Sequence, residues 1–485
     1  MSVQNNPFAS VPDQTKITEE ACSFIEKATF GDIPPAAVDI GRRCVLDGLG
    51  LFVAGSDEEC VRILAKIAID TGGRADALVL GHGAAKIPAP AAARILGTAG
   101  HAHDWDDSQV SLDSDHVYGL LTHPTIPPLA SALVMAQTLG EVSGRDFMLA
   151  FQAGFEVESK ISEWMLSQHY KRGFHSSGTV GTFGAYAAAA KLLQMRGEPL
   201  RHGFGIAASL AAGIRVNFGT MTKPLHVGRA AENGITAALL AQEGFTADPA
   251  ALDGIWGFCA VLGGGVTAGK LAQGFGRTWS IVDPGVSIKP YPCGVLTHPT
   301  IDLMVKLTRE NAIRFDDIEH VVVRAGSNIL NPIRYPVARN HLQAKFSLPA
   351  VLAMVAINGK AGKIEFSDRF VASDRMQTMQ RMIETRFDPE IEALGFDKMR
   401  SSIEIRLKGG RSVAGSADER YRGGPENPLS DKEVEDKVVS CCEGVLDAAE
   451  TRALISGAWD VLALADVSVI AVQLQGRSQV SDKRG

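Results

Sequence analysis

Residues 219–234 read GTMTKPLHVGRAAENG and set three protonatable side chains, Lys223, His226 and Arg229, three apart within seven residues. The runs on either side are almost wholly small or aliphatic. IAASLAAGI (206–214) precedes it, and RAAENGITAALLAQEGF (229–245) carries Ala230, Ile235, Ala238, Leu239 and Leu240 at helical spacing. The pattern predicts a helix starting at Val227 or Gly228. A helix start offers free N–H groups and the positive end of the helix dipole, which is where carboxylates and phosphates bind. Three cationic groups there imply an anionic client; solvated charges around a core histidine are the plainer reading of the same residues.

Working outward, the first 270 residues read as helix after helix. Thr18 is the expected N-cap of the first, with Glu19 and Glu20 in its opening turn. GRRCVLDGLGLFV (41–53) continues the pattern, and Ser143 to Asp146 has capping-box spacing ahead of DFMLAFQAGFEVESKISEWM. TVGTFGAYAAAAKLL (179–193) is typical of these helices. Only 6% of the chain is aromatic, so interdigitated small residues must supply the packing density. Around 263–294 the texture turns Gly- and Pro-rich, as in a linker. Beyond it EHVVVRAG (319–326) and SIEIRLKGG (402–410) alternate like strands, while LPAVLAMVAINGK (348–360) and DRMQTMQRMIETRF (374–387) read as helices. Ser430 to Glu433 caps a further helix, AAETRALISGAWDVLALADV (448–467) is helical, and GRSQVSDKRG (476–485) is expected to be disordered. The fold class is therefore mostly α with a smaller α+β domain: residues 1–269 and 421–485 build the helical domain and 270–420 the α+β domain.

A length of 485 residues exceeds one compact core, which supports two or more domains. A net charge of -7 argues against nucleic acid or an anionic membrane as the main partner. Seven scattered cysteines with no CxxC pair suit reduced thiols rather than a disulfide framework or zinc knuckle. The opening MSVQNNPFASVPDQTKITEE lacks the features of a signal or transit peptide, and the longest apolar run is about half a bilayer span. A cytoplasmic location is expected.

Four further segments could carry chemistry. HAHDWDDSQ (101–109) suggests a metal at first, but HxH shares a face on a strand, and this segment follows a helical run. General acid/base work by Asp104 is the better use, with Asp106 or Asp107 capping or bridging. His123 in LLTHPTIPPLASAL stands at the mouth of a helix set by Pro127 and Pro128, where it either reacts or merely caps. GFHSSGTVGTFG offers His175 beside hydroxyls and free amides, suited to a carboxylate or enolate oxygen, and lacks the ending of a phosphate-binding loop. In KPYPCGVLTH (289–298), Lys289 sits on a proline-stiffened turn at the domain border, while Cys293 reads as packing. Lys345 in QAKFSLP reads as structural or as an inter-domain contact.

Taken together, HAHDWDD, LTHPTIPPLASAL, GFHSSGTVGTFGA, GTMTKPLHVGRAAENG, KPYPCGVLTHP and AKFSLP resemble the MmgE/PrpD family, in that family's order. The resemblance implies an all-helical domain built from both chain ends, an inserted α+β lid domain, and a homodimer. It also implies a small polycarboxylate substrate, with no metal and no organic cofactor. The reactions implied are those of 2-methylcitrate dehydratase, cis-aconitate decarboxylase and iminodisuccinate epimerase, each of which moves a proton beside a carboxylate. Carried over by position, Asp104, Ser108, His123, His175, Lys223 and Lys289 surround the substrate. Ser108 replaces a threonine of the decarboxylases, and Gly294 stands where they carry a histidine. That departure ranks a hydro-lyase of the dehydratase kind first, an epimerase second and a decarboxylase third. The expected roles are acid/base chemistry at Asp104, His123 and His175, and substrate binding at Ser108, Lys223, His226 and Lys289. A metal-dependent hydrolase built on HAHD and a carboxylate-binding protein without turnover are the rival classes.

Overall fold

Small residues decide how the long helices meet. The structure, a computed structural model, describes residues 15–110 and 122–475. In it the helices Ala89–His101 and Thr222–Gln242 cross at a pair of glycines. A Cβ on Gly97 would lie 3.0 Å from the Gly228 Cα, and one on Gly228 would lie 2.1 Å from the Thr98 hydroxyl, so no larger residue fits this crossing. The crossing sets His101, the last residue of its helix, opposite Lys223, in the first turn of the other.

Around this pair pack Pro35–Gly55, Ile126–Leu139, Gly144–Trp164 and Gly181–Leu192, all lined with buried Ala, Leu, Val and Phe. The tail returns to the same core through Asp431–Cys442 and Ala448–Trp459, whose Val434, Val438 and Leu454 are buried with Leu46 and Leu49. The protein is thus mostly α, with one large helical body drawn from both ends of the chain.

A second core lies in the smaller α+β part. Its sheet has the order β4-β3-β5-β6, with β3 Ile318–Ala325, β4 Ile383–Phe387, β5 Ser401–Leu407 and β6 Ser412–Ser416. β3 pairs antiparallel with β5 and parallel with β4. Helices Leu348–Asn358 and His298–Glu310 contribute Val351, Leu352, Met354, Ile301 and Met304 to the same core. Core membership changes over between Ile288 and Cys293, and again between Tyr421 and Leu429. Trp279, Ile281, Val286 and Ile288 belong to the large core, so the Gly- and Pro-rich stretch is packed there rather than spanning open space.

Four local expectations change. The helix after residue 219 begins at Thr222, not at Val227 or Gly228, because Pro224 fits a first turn, where its missing N–H costs no helical bond. Thr18 does not cap the first helix, Ile17–Lys27. Its amide and hydroxyl donate to Asp253, whose other oxygen takes the Ile17 amide, so the cap comes from far along the chain. Residues 383–387 form the edge strand β4 rather than continuing the helix Asp374–Arg381; four of its five side chains are exposed, so no apolar period marks it. A two-residue ladder, β1 Ala77–Leu78 with β2 Lys86–Ile87, interrupts the helical part and is too short to show alternation. Ser143 and Ser430 do cap their helices, the latter in a full capping box with Glu433. The segment expected to be disordered, 476–485, lies outside the described residues. Among the described residues no helix is long and apolar enough to cross a membrane.

Candidate active site

The main chain just after the helix Ala89–His101 turns sharply, and the turn aims several side chains inward. Asp104 adopts φ +53, the left-handed region that aspartate tolerates better than most residues. Two residues on either side are pinned from outside. Lys345 Nζ donates to the Ala102 carbonyl at 2.8 Å and Lys437 Nζ to the Trp105 carbonyl at 2.7 Å. Ser108 then pairs with Ser287 through both amides, at 2.9 and 2.8 Å, which brings the KPYPCG turn alongside. Lys289 thereby reaches Asp104, its Nζ donating to Oδ1 at 2.7 Å and to the carbonyl at 2.8 Å.

Asp104, Ser108, His123, His175, Lys223 and Lys289 line one pocket of about 400 Å³ between the two cores. Its other wall is apolar: Phe218, Gly294, Val295, Leu296, Ile333 and Phe346. Six of the seven residues expected at the site are therefore together. The seventh, His226, is corrected: it stands behind His175, Nδ1 to Nδ1 at 3.0 Å, and does not line the pocket. The early helix start causes this, since His226 lies one turn into the helix from Lys223. Arg229 faces outward and pairs with Glu232 at 2.6 Å. Cys293 is buried packing whose thiol burial pushes up to about 12.

Two lysines and one carboxylate dominate the field. Lys223 Nζ lies 3.3 Å from Asp104 Oδ1 and 2.6 Å from His101 Nε2, over the rings of Phe218 and Phe346 at 5.1 and 5.3 Å. Burial lowers Lys223 to about 8, with Asp104 opposing the fall. Against the upward pull of burial, Lys223 and then Lys289 hold the Asp104 carboxyl well below the usual carboxylate range. Asp104 is charged while sharing two ammonium groups, so the pocket carries a net positive charge for an anion.

The histidines differ in what surrounds them. The His123 amide donates to Ser177 Oγ at 2.9 Å, and its ring Nδ1 donates to the Asp107 carbonyl at 2.7 Å, which leaves Nε2 as an acceptor. That Nε2 lies 3.8 Å from Asp104 Oδ1, and Nδ1 lies 3.4 Å from Asp106 Oδ2. Burial pushes His123 well below its ordinary value against the pull of Asp106. His175 is lowered by burial first, then by Lys223 and His226, and its Nε2 has no hydrogen-bond partner. His123 does not cap the following helix, Ile126–Leu139, whose N-cap is Thr125; Asp107 holds that residue, accepting from Thr125 Oγ1 at 2.5 Å and from its amide at 3.3 Å.

Two residues of the site have roles that the sequence does not show: His101 reads there only as half of the HxH pair, and Lys437 carries no signal at all. His101 donates from Nδ1 to Asp106 at 2.8 Å and accepts from Lys223, so Asp106 and His101 together hold the lysine in place. Lys437 comes from the tail helix, and nothing in the HAHDWDD segment points to it.

Donor atoms of His101, Asp104, Asp106 and His123 lie within 4.8 Å of one another, which raises the metal reading again. The donors do not suit a divalent ion. The lone pair of His101 faces Lys223 Nζ, Asp104 Oδ1 lies between two ammonium groups, and a dication there would meet both positive charges. The HxH pair is also split: His103 turns away, its Nε2 bonded to the Ala54 carbonyl at 2.9 Å.

Residues 19–269 match the MmgE/PrpD N-terminal domain and residues 291–461 the MmgE/PrpD C-terminal domain. The cis-aconitate decarboxylase of Homo sapiens is 26% identical over 471 residues, covering 95% of each chain. The cis-aconitate decarboxylase of Aspergillus terreus (strain NIH 2624 / FGSC A1156) is 23% identical over 464 residues, 90% of this chain and 91% of that one. With both halves of the molecule matched and the pocket formed where they meet, this chain belongs to the MmgE/PrpD family.

Proposed function

We propose that this protein is a cofactor-independent lyase that removes the α-proton of a small polycarboxylate, first of all a hydro-lyase of the 2-methylcitrate dehydratase kind. The observation that carries this is Asp104 held between Lys223 and Lys289 in one buried pocket with His123 and His175. Family membership and the decarboxylase relatives support a lyase in general.

An α-proton leaves only if the electron pair it leaves behind is stabilised as an aci-carboxylate. Two fixed ammonium groups in a buried site supply that stabilisation without reorganising. His123 is the base: its Nε2 is the free acceptor, and Asp104 and Asp106 flank the imidazolium that forms. His175 is the acid. No carboxylate pairs with it among the described residues, so it works as a neutral ring that donates from Nε2 to the departing hydroxyl. The α C–H bond breaks to His123, the C–O bond breaks, and water leaves with the His175 proton. Ser108, its Oγ 3.5 Å from His123 Nδ1, is on hand to orient a substrate oxygen.

A decarboxylase is the second reading, favoured by the names of the relatives. Gly294, in place of the histidine that the resemblance implies for decarboxylases, weighs against it.

The test is a screen of 2-methylcitrate, citrate, cis-aconitate and iminodisuccinate in deuterated water, read by NMR for α-proton exchange, water loss and carbon dioxide. Exchange with at least one of them, accompanied by water loss, is expected. No exchange with any would overturn the reading, and carbon dioxide release would replace hydration chemistry by decarboxylation.

A further inference from the structure

We infer that His226 is a positioning residue that carries protons between His175 and solvent, so that His175 can lose or gain a proton at Nε2 without becoming a buried ion. This rests on the reading of His175 as the pocket's proton donor.

The two Nδ1 atoms lie 3.0 Å apart, a distance that requires one N–H and one lone pair between them. His175 cannot donate that proton and also carry a neutral Nε2–H. Its tautomer is therefore decided by its partner: when His226 donates, His175 presents Nε2–H to the pocket. The second nitrogen of His175 is the buried, unpartnered Nε2, and the ring lines the pocket while His226 does not. His226 is the outer member, 8% exposed against 1% for His175.

The seat for this pair is built into the backbone. A Cβ on Gly213, at φ +145, would lie 3.2 Å from His226 Cγ and 3.6 Å from His175 Cβ, and one on Gly178 would lie 3.0 Å from His226 Cβ. The His175 amide donates to the Gly213 carbonyl at 3.0 Å, so the same segment holds both rings. The charged group facing the pair is Lys223, one turn earlier on the helix of His226, which penalises a positive charge on either ring.

The bookkeeping of one transfer follows. As His175 Nε2–H breaks to the leaving oxygen, Nδ1–H of His175 forms with the proton from Nδ1 of His226. Nε2 of His226 then takes a proton from water, leaving hydroxide in solvent, and both rings stay neutral. The reset runs the other way: the α-proton held on His123 passes by way of the water just released to His175 Nε2, His175 Nδ1–H returns to His226 Nδ1, and His226 Nε2–H neutralises that hydroxide.

His226→Asn keeps a hydrogen-bonding group near the Nδ1 position but cannot pass a proton through, whereas His226→Ala leaves room for added imidazole. With whichever polycarboxylate exchanges fastest in wild type, both variants should lose at least about tenfold in kcat, the low end of a general acid/base contribution. KM should stay unchanged, because His226 is off the pocket wall. Imidazole should restore His226→Ala in proportion to its concentration. An unchanged kcat in His226→Asn, or a loss that imidazole does not relieve, would overturn the inference. In wild type labelled with ¹⁵N-histidine, a through-hydrogen-bond coupling between the two Nδ1 atoms is expected. Its absence would overturn the inference even if no tested acid is turned over, an outcome that would count separately against the proposed function.

Discussion

Lys289 grips both ends of Asp104, its Nζ 2.7 Å from the carboxylate Oδ1 and 2.8 Å from the carbonyl of the same residue. One ammonium group thus fixes a left-handed backbone and the charge it displays. The contact also ties the chain beyond residue 288, where the second core begins, to the loop after the helix Ala89–His101.

Asp104→Asn separates these duties, because asparagine also tolerates the left-handed region. The backbone should persist while Lys223 and Lys289 lose their counter-charge. Removing one partner of a buried pair costs about 3–5 kcal/mol, so the melting temperature should fall, and turnover with it. Denaturant unfolding of wild type and variant, beside exchange in deuterated water, checks this; an unaltered stability would mean that the Asp104 charge is not needed to hold the two lysines.

The two histidines should fail differently. His123→Ala should cut α-proton exchange by about 10²-fold or more, since it removes the base itself. His175→Ala should keep much of the exchange and lose the elimination, because in the proposed reaction only the departing hydroxyl takes its proton. Following deuterium incorporation and water loss in the same samples distinguishes them, and equal losses in both steps for both variants would contradict the division of labour.

Burial, partly opposed by Asp104, brings Lys223 down to about 8. A lysine binds a carboxylate only when protonated, so its contribution is present below that value and is lost as pH rises through it. The profile of kcat/KM, which reports the free enzyme, should fall on the alkaline side near pH 8. In Lys223→Arg, with an ordinary arginine pKa above about 12, that limb should disappear. A limb that persists in the arginine variant would assign it to another group.

Most residues of the candidate pocket are legible in the sequence, and the differences have physical causes. Asp104, His123, His175, Lys223 and Lys289 could be named because each stands in a segment of unusual local chemistry. His226 was misplaced because three residues' spacing does not say which face of a helix meets the pocket; an error in the helix start, from Val227 to Thr222, carried it there. His101 shows in the sequence only as half of an HxH pair, because its contact with Lys223 depends on the Gly97–Gly228 crossing, a contact between distant segments. The helical body was plain from its periodicity, whereas β4, an edge strand with one buried side chain, had no pattern to read.

Lys437 is the clearest case of a distant residue acting on the site. From the tail it donates to the Trp105 carbonyl at 2.7 Å and pairs with the buried Asp47 at 2.7 Å. Lys437→Met should destabilise the protein by about 3–5 kcal/mol by stranding that carboxylate. Asp47→Asn in the same chain should recover part of the stability while activity stays low, because the Trp105 carbonyl remains unheld. Full recovery of activity would show that the pin on the loop is dispensable.

Gly294 lies on the apolar wall of the pocket, five residues after Lys289, where the family resemblance implies a histidine in decarboxylases. Its backbone, at φ -54, accepts any side chain, so the obstacle to a histidine is space. A Cβ there would lie 3.1 Å from Ile333 Cδ1 and 3.5 Å from the Lys345 carbonyl. The isoleucine can be trimmed and the carbonyl cannot. Gly294→His alone should therefore lower stability by about 1–3 kcal/mol through overpacking, and Gly294→His with Ile333→Ala should recover most of it. If the missing histidine is what bars decarboxylation, the double variant should release carbon dioxide from cis-aconitate above the wild-type level and lose hydro-lyase turnover. A stable double variant with no gain in carbon dioxide would move the cause of the specificity elsewhere on that wall, to Phe218 or Leu296.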